Sequence, residues 1–421
     1  MKDCCPLSEE LLAHISSLWI IDTHEHAANY KSGPLDYLAL TVNCYARLDL
    51  RSAGMPLSVL DQVRDASRPV TERWLLCEPY WNACRNTGYI RMHERVARDV
   101  YGVEGVNRDS IEQLHHLFQQ KDPSHSYAEG HRQSQILCSI VDSDMDCDRS
   151  IQRPAFRLEE FVERNELGKV RQLLGSVGIR TFTEWLDACE EVVRRYRTAG
   201  AVAFKTTIAT DRTLAIGHGS YAEAESSFLE AVRENTHSFS PSMAYQDFMF
   251  HHVLGVVRKL GLTVQMHTGM SASNANVIPN GNPLQLCELF AEYPDVDFVI
   301  MHMGFPYQLE LSALGKMFPN VYPDLSWAHI LSPHAARLAL SDWLDAMPAT
   351  KIMGFGGDCG HEDAIHAHLL MARENISHVL AQKVQEGCFD MAHAKWIAEQ
   401  LLIYSPYRVF RLADAGVTLH S

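Results

Sequence analysis

Several features that define other classes of protein are absent from this sequence. No stretch of 18 or more apolar residues suggests a membrane span, and residues 1–6 lack the apolar core of a secretory signal. No run rich in lysine and arginine occurs, and the formal net charge is −15. Nucleic acids and anionic membranes bind basic surfaces, so neither is expected as a partner.

The cysteines also exclude a class of protein. There are 11 of them, an odd number, and no Cys-x-x-Cys pair occurs. Reduced thiols in a cytoplasmic protein therefore fit better than a disulfide framework.

The 46% of hydrophobic residues is enough for a full core. The length of 421 residues suits one α/β barrel with insertions, because such barrels run from roughly 200 to over 400 residues.

Short apolar, β-rich runs alternate with helical patterns along most of the chain. Residues 30–130 differ, because they show helical periodicity only and so predict a helical insertion. Eight strands are predicted at about 18–23, 135–141, 153–157, 201–207, 262–267, 296–302, 321–326 and 351–356.

This alternation implies parallel strands joined by right-handed crossovers. An open doubly wound sheet would need a glycine-rich phosphate turn after an early strand, and none follows the first strand. We therefore predict the α/β class, a (β/α)8 TIM barrel with a helical insertion after strand 1. Residues 1–421 are expected to form one metal-dependent domain, with 30–130 inserted within it.

Two histidines end the first predicted strand, in the segment Asp22-Thr23-His24-Glu25-His26. Side chains two residues apart share one face of a strand, so His24 and His26 point the same way. Two such imidazoles suit a divalent metal, although an isolated His-x-His pair is often a surface coincidence. Glu25 points to the opposite face and is expected to be structural.

Polar residues also end the apolar runs of predicted strands four, five and six, and one follows strand eight: Lys205, His267, His302 and Asp358. Each has an ordinary explanation, such as a core histidine, a buried ion pair or a helix N-cap. In a β/α barrel, however, the chemistry sits at the C-terminal ends of the strands. A shared metal site explains all of these residues with fewer coincidences.

The ordered set of these residues resembles the amidohydrolase superfamily of metal-dependent TIM-barrel enzymes. The resemblance is to the amidohydrolase-related branch, which contains predicted hydrolases and decarboxylases. It covers roughly residues 15–30 and 200–415, and uronate isomerases share a similar barrel with a helical insertion. Its motifs are His24-x-His26, Gln265-Met266-His267-Thr268-Gly269, Met301-His302-Met303-Gly304-Phe305-Pro306-Tyr307, Phe318-Pro319-Asn320-Val321-Tyr322-Pro323-Asp324-Leu325-Ser326-Trp327 and Phe355-Gly356-Gly357-Asp358.

The resemblance implies roles for the site residues. His24, His26 and Asp358 would hold a catalytic divalent metal, with His267 as a further ligand. Asp358 and His302 would be catalytic: Asp358 accepts a proton from the metal-bound water, and His302 binds a second metal or hydrogen-bonds water or substrate. Zinc is the expected ion and manganese the alternative, and a second metal stays open. Zinc lowers the pKa of bound water to about 7.

Lys205 leaves two alternatives open. It is either carboxylated and bridges two metals, or a cation that binds a substrate carboxylate, and we favour the second. Arg157, Tyr307 and Trp327 are the other expected substrate-binding residues. The alternating acids at 142, 144, 146 and 148 lack the glycine and glutamate of an EF-hand loop, so they predict a solvated loop.

The sequence thus predicts hydrolysis of a C–N or similar bond in a small, carboxylate-bearing substrate by metal-bound hydroxide. The alternatives are a metal-dependent decarboxylase and a uronate-isomerase-like enzyme. A metal-stabilised binding protein on a retired barrel is disfavoured, because Asp358 is intact. A small-molecule substrate is the expected partner, and we expect a cytoplasmic homo-oligomer.

Overall fold

The computed structural model describes residues 6–26, 36–121, 126–142, 147–163, 166–175, 178–234 and 241–419. Within these, seven parallel strands form one sheet in which each strand pairs with the next along the chain. The strands are β1 (Ile20–Glu25), β2 (Ile136–Asp142), β3 (Gln152–Phe156), β4 (Ala203–Thr206), β5 (Thr263–Met266), β6 (Phe298–Ile300) and β7 (Val321–Pro323).

The segment 352–358 joins the two edges of this sheet. On one side the Met353 N–H donates to the Pro323 carbonyl of β7 at 3.0 Å, and Asp324 and Met353 form a parallel bridge. On the other side the Phe355 carbonyl accepts from Thr23 of β1 at 3.1 Å. The segment therefore takes the place of the predicted eighth strand, and the predicted TIM-barrel class is confirmed.

The eighth segment is less regular than the prediction of a strand over 351–356. The Gly354 N–H, which would continue the ladder, donates instead to the Leu401 carbonyl at 2.8 Å. Because each backbone N–H makes one strong bond, this contact with the C-terminal helices interrupts the strand pattern.

Helices surround the sheet, and those between β1 and β2 confirm the helical insertion. Helix α1 (Pro6–Ser17) precedes β1. The insertion and the link to β2 comprise α2 (Tyr37–Thr41), α3 (Arg47–Ser52), α4 (Leu57–Arg64), α5 (Val70–Ala83), α6 (Gly88–Arg95), α7 (Ile111–Gln119) and α8 (Ser126–Ser134). The later helices are α9 (Glu159–Val162), α10 (Leu167–Leu174), α11 (Phe182–Thr198), α12 (Tyr221–Glu234), α13 (Met243–Lys259), α14 (Cys287–Glu292), α15 (Gln308–Met317), α16 (Ala328–Leu331), α17 (Pro333–Ala346), α18 (Glu362–Gln385), α19 (Met391–Glu399) and α20 (Ser405–Val409).

Local sequence explains where the long helices begin. Thr181 and Glu184 form a capping box at the start of α11, and the Ser242 side chain accepts from the Tyr245 N–H at the start of α13. Such caps satisfy backbone N–H groups that have no partner inside the helix. The two helices then bury one apolar face each against the sheet.

Among the described residues, buried apolar side chains form three clusters. The largest lies between the sheet and its helices, and a smaller one around Ile21, Ile140 and Met353 fills the inside of the barrel. The insertion has its own core, which includes the fully buried Trp74 and Trp81. The barrel is thus a packed scaffold, and polar groups collect at one end of it.

In the described part of the chain, no helix combines the length and apolar character that crossing a membrane requires.

Candidate metal centre

His24, His26 and Asp358 meet at the C-terminal end of the barrel, where the first strand and the closing segment lie side by side. The Nε2 atom of His26 lies 2.9 Å from Oδ1 of Asp358, and Nε2 of His24 lies 3.6 Å from the same oxygen. His24 is fully buried, whereas 41% of the His26 side chain is exposed. The side chains predicted to share one face of β1 therefore do converge on the aspartate. Asp358 is not a helix N-cap, because His361 caps the following helix.

Asp142, at the end of β2, joins this group, and its interpretation as part of a solvated loop was wrong. Single ligand atoms of His24, His26 and Asp142 all lie within 4.8 Å of one another. The Asp142 carboxylate lies 3.8 Å from Nδ1 of His26 and its side chain is 5% exposed. Asp148 is exposed as predicted, whereas the acids at 144 and 146 lie outside the described residues. The sequence feature that could have identified Asp142 as a site residue is its position directly after the predicted strand 135–141.

His302 lies on the other side of Asp358, and His267 lies behind it. Nδ1 of His302 is 3.7 Å from Oδ2 of Asp358 and 3.2 Å from the Ser326 carbonyl. The His267 ring packs edge-on against His302, with 4.5 Å between ring centroids, and its Nε2 hydrogen-bonds the Met270 carbonyl at 3.1 Å. The structure therefore brings His302 nearer to the aspartate than the predicted ligand His267.

Lys205 lies next to the last residue of β4 and is 1% exposed. Its Nζ lies 2.7 Å from Sδ of Met301, and among the described residues no carboxylate lies within 4.0 Å of it. Burial lowers the pKa of Lys205 to about 8, although the charges of Asp142 and Asp358 favour its protonated form. It is thus a buried cation near the carboxylates without a direct ion pair.

Arg157 is engaged by two acids of the chain itself. Its Nε lies 2.9 Å from both carboxylate oxygens of Asp142, and its Nη1 lies 2.8 Å from Glu159. The guanidinium therefore holds Asp142 beside His26 and still keeps 30% of its side chain exposed. The sequence did not predict this positioning contact.

Trp327 forms part of an aromatic wall beside His302. The two rings meet edge to face with 5.4 Å between centroids. Tyr45 and Tyr89 of the insertion pack on the other side of Trp327, at 5.0 and 6.1 Å, and the Tyr45 hydroxyl donates to the Asp358 carbonyl. The insertion therefore supplies part of the wall beside the site. Tyr307 is half-buried at the start of α15, and no described hydrogen bond or ring contact joins its side chain to the cluster.

A second layer of carboxyl groups supports the strand ends. Asp22 accepts from the Gly357 N–H at 3.1 Å, and Glu25 accepts from the Cys359 N–H at 2.9 Å. Both side chains are fully buried, and burial raises the pKa of Asp22 to about 7 and that of Glu25 well above its ordinary value. These acids bind the backbone N–H groups of the two residues on either side of Asp358, which agrees with the structural role predicted for Glu25.

The protonation states follow from burial and from neighbouring charges. Burial raises the pKa of Asp358, but the hydrogen bond to His26 and the charges of the three nearby histidines lower it far more, so that it lies well below its usual range. Burial lowers the pKa of His302 to about 4, and burial with the Lys205 charge lowers that of His24 well below its ordinary value. At neutral pH the site therefore holds an ionised carboxylate and neutral imidazoles at His24 and His302. At His26 burial acts to lower the pKa, but the hydrogen bond and the charge of Asp358 raise it above its ordinary value.

Backbone angles at the strand ends are also unusual. His302, Trp327 and Asp358 have φ values of 62°, 63° and 51°, in the left-handed region that non-glycine residues avoid. Such angles cost of order 1–3 kcal/mol each and cluster at functional sites, where the fold over-determines them. The three residues follow neighbouring strands, so the strain is concentrated at the candidate site.

The residues present fit a divalent metal. Both ring nitrogens of His24 are buried, and neither makes a hydrogen bond within the described chain. Buried polar atoms without partners are rare, and neutral imidazole with carboxylate is a typical ligand set for zinc and related ions. His24, His26 and one or both of Asp142 and Asp358 are the donors that the geometry brings together.

Sequence comparison identifies relatives of part of the chain. Residues 215–387 match the model of the family described as amidohydrolase, which confirms the resemblance predicted from the motifs. A stretch of 174 residues, 40% of this chain, is 27% identical to Protein fluG of Emericella nidulans. The chain spans 20% of that protein's length.

Solved structures resemble the whole fold. A uronate isomerase from Thermotoga maritima matches with a TM-score of 0.79 and 14% identity, over 96% of this chain and 97% of that one. A glucuronate isomerase from Caulobacter crescentus has a TM-score of 0.74 and 18% identity over 96% and 94%. A candidate metal-dependent hydrolase from Lactobacillus casei has a TM-score of 0.68 and 18% identity over 96% and 98%. At these identities the likeness concerns the fold.

Proposed function

We propose that the protein is a metal-dependent hydrolase, because residues 215–387 match the model of the amidohydrolase family and metal-capable side chains converge at the barrel mouth. Its substrate is a small molecule with a carboxylate and a C–N or similar bond to be cleaved. The observation that carries the proposal is the approach of His24 and His26 to Asp358, with both nitrogens of His24 buried and unbonded.

His24 and His26 would hold the ion together with Asp142 or Asp358, with zinc preferred and manganese as the alternative. When bound there, the ion supplies a Lewis acid that polarises a carbonyl and lowers the pKa of water. Arg157 positions the Asp142 carboxylate, because its Nε lies 2.9 Å from both oxygens. The second-layer acids Asp22 and Glu25 orient the backbone on either side of Asp358.

Asp358 is the proton acceptor in this proposal. Its low pKa keeps it ionised at neutral pH, so it takes a proton from the attacking water and returns it to the leaving nitrogen. Neutral His302, 3.7 Å from Oδ2 of Asp358, is placed to hydrogen-bond water or the substrate carbonyl. The wall formed by Trp327, Tyr45 and Tyr89 limits the water that reaches these groups.

Lys205 and Arg157 are the cations that would bind the substrate carboxylate. Lys205 is buried beside the cluster without an ion pair to a described carboxylate within 4.0 Å, and a buried charge of this kind is stabilised by an anion. The partly exposed side of Arg157 lies at the same end of the barrel. A substrate with one carboxylate near its scissile bond satisfies this arrangement.

Decarboxylation is the second candidate, and the same observation on Lys205 favours it. An ammonium group beside the metal ligands also stabilises a carboxylate that is about to leave as CO2. The two reactions share ligands and differ in what happens to the substrate mass.

A panel of N-acyl amino acids, hydroxybenzoates and uronates, followed by chromatography with mass spectrometry, tests the proposal. Addition of water supports the hydrolase, loss of CO2 supports the decarboxylase, and a new peak of unchanged mass supports an isomerase. Asp358→Asn removes the proposed proton acceptor. It should lose activity by roughly 10²- to 10⁴-fold while its circular dichroism is unchanged. Near-normal turnover in Asp358→Asn would refute the role of this carboxylate.

Metal removal provides an independent check. Chelation should abolish turnover, and addition of Zn²⁺ or Mn²⁺ should restore it. His24→Ala, which removes a buried ligand, should not respond to added metal. A dialysed, metal-free protein that works as well as the untreated enzyme would contradict the proposed mechanism.

A further inference from the structure

Three metal-capable side chains also meet away from the barrel mouth. One ligand atom each of His218, His251 and Glu292 lies within 4.8 Å of the other two. Nε2 of His218 is 3.3 Å from the Glu292 carboxylate, and Nδ1 of His251 is 3.7 Å from its other oxygen. The residues come from the β4–α12 connection, from α13 and from the end of α14.

The backbone that carries His218 is held firmly against α13. A Cβ atom on the next residue, Gly219, would lie 1.8 Å from the Ala244 carbonyl oxygen, so only glycine permits this approach. The preceding glycine, Gly217, faces the Asp247 side chain of α13 in the same way, at 3.1 Å. The loop therefore presents His218 to α13 without requiring a rearrangement of the backbone.

His251 is held in place by its neighbours. Its Nδ1, the nitrogen nearest to Glu292, lies 2.8 Å from the Tyr293 hydroxyl, and the ring also bonds to the Gly217 backbone. Further hydrogen bonds that fix the ring are typical of histidine ligands. Burial also lowers the pKa of His251, which keeps its imidazole neutral and able to donate a lone pair.

The surroundings favour a cation. In the described part of the chain, Glu292 forms ion pairs with His218 and His251 and with no lysine or arginine. The two imidazole rings stack with 4.4 Å between centroids, an arrangement that brings two potential positive charges together unless both stay neutral. A cavity of about 270 Å³ lies beside the two histidines and is also lined by Gly219, Phe248 and His252.

We propose that His218, His251 and Glu292 form a second metal site, on the outside of the barrel, for a first-row divalent ion such as Zn²⁺. Two imidazoles and a carboxylate prefer Zn²⁺, Cu²⁺ or Ni²⁺ to Mg²⁺ or Ca²⁺, which favour all-oxygen ligands. The ion would tie the β4–α12 connection to α13 and α14. The site is independent of the proposed catalytic centre and involves none of its residues.

Zinc binding by the full-length protein tests this site. The barrel-mouth ligands are first removed with His24→Ala and His26→Ala, so that uptake there does not obscure the result. In this background the protein should bind one equivalent of Zn²⁺ by calorimetry and elemental analysis. Adding His251→Ala should weaken binding at least tenfold. Adding His252→Ala should not, since His252 lines the same cavity while its Nε2 bonds the Leu186 carbonyl.

Thermal unfolding gives a second readout that does not depend on activity. An ion that binds only the folded state raises the melting temperature, here by about 2 °C or more at saturating Zn²⁺, and the His251→Ala variant should show no rise. If His251→Ala does not fold, His218→Ala replaces it, because 73% of the His218 side chain is exposed. Equal zinc affinity with and without these side chains would overturn the proposal and leave a surface His–Glu pair.

Discussion

Gly357, next to the candidate catalytic aspartate, lies at a position with no room for a larger side chain. A Cβ atom at this position would lie 1.7 Å from Oε1 of Glu25, and that carboxyl group is fully buried. The Gly357 N–H also donates to Asp22 and its carbonyl accepts from Nδ1 of His368. The close approach lets β1 and the closing segment bring their polar ends together.

Gly357→Ala is expected to destabilise the fold by about 1–3 kcal/mol, because Glu25 has no free space into which it can move. Activity should fall with it, since the displaced backbone carries Asp358. Urea unfolding and turnover of the same preparations measure both effects. Gly360→Ala is the matched control, because a Cβ there meets nothing within 4 Å, and it should behave as the natural protein does. A Gly357→Ala protein of unchanged stability would show that the second layer is loose.

At the scale of elements, the turn between α2 and α3 connects the insertion to the site. Cys44 and Tyr45 leave the helical conformation there, and Tyr45 has a φ of 66°. This bend directs the Tyr45 side chain to the barrel mouth, where its hydroxyl donates to the Asp358 carbonyl and its ring lies against Trp327. The insertion thus supplies part of the wall and one of the bonds that fix Asp358.

Tyr45→Phe should retain the fold and lower kcat/KM by about 2- to 10-fold, the effect of losing one buried hydrogen bond of about 0.5–1.5 kcal/mol. Tyr89→Phe provides the comparison. Its ring also stacks on Trp327, but its buried hydroxyl makes no hydrogen bond in the described structure, so its removal should leave kcat/KM nearly unchanged. Equal losses in both variants would mean that the hydroxyl of Tyr45 does not position Asp358.

Sequence patterns predicted the strands and their polar ends because these depend on local periodicity. His24 and His26 share a face for that reason, and Lys205, His302 and Asp358 follow apolar runs that form or continue the barrel. What the sequence did not predict depends on contacts between distant segments. Asp142 was hidden in an acidic run, and only its pairing with Arg157, 15 positions away, shows that it is held in the site. The Tyr45–Asp358 contact spans 313 positions.

At the scale of the whole molecule, two buried histidines anchor the closing segment to the surrounding helices. Nε2 of His329 lies 3.0 Å from the Gly354 carbonyl, and Nδ1 of His368 lies 2.9 Å from the Gly357 carbonyl. Both side chains are fully buried, and burial lowers the pKa of His329 to about 4 and that of His368 to about 3. In the unfolded chain both would titrate near 6.5.

Because these pKa values are lower in the folded state, the unfolded state binds more protons as the pH falls. The contribution of these two histidines to folding stability is therefore fully present above pH ~6.5. It is lost progressively as the pH falls toward 4 for His329 and toward 3 for His368. Between pH 6.5 and 5, each histidine should lower the free energy of unfolding by about 1.5 kcal/mol. Urea unfolding of the natural protein and of His329→Gln at pH 7 and pH 5 measures this contribution.

His329→Gln should lose less stability than the natural protein on acidification, since glutamine can donate to Gly354 without titrating. The exposed His334 offers a control, because His334→Gln should keep the natural pH dependence. Parallel pH profiles for all three proteins would show that the buried imidazoles do not govern acid unfolding.

The closure of the barrel by segment 352–358 has a consequence for how the protein acquires its chemistry. The Thr23 hydroxyl and the Phe355 carbonyl that it bonds are 332 positions apart, so the two halves of the candidate centre are synthesised at opposite ends of the chain. Contacts of such long range form late and slowly. A nascent chain that lacks Asp358 cannot present the complete ligand set. Metal uptake at the barrel mouth would thus indicate that the barrel has closed. A stalled or partly folded chain would neither bind the metal there nor be active.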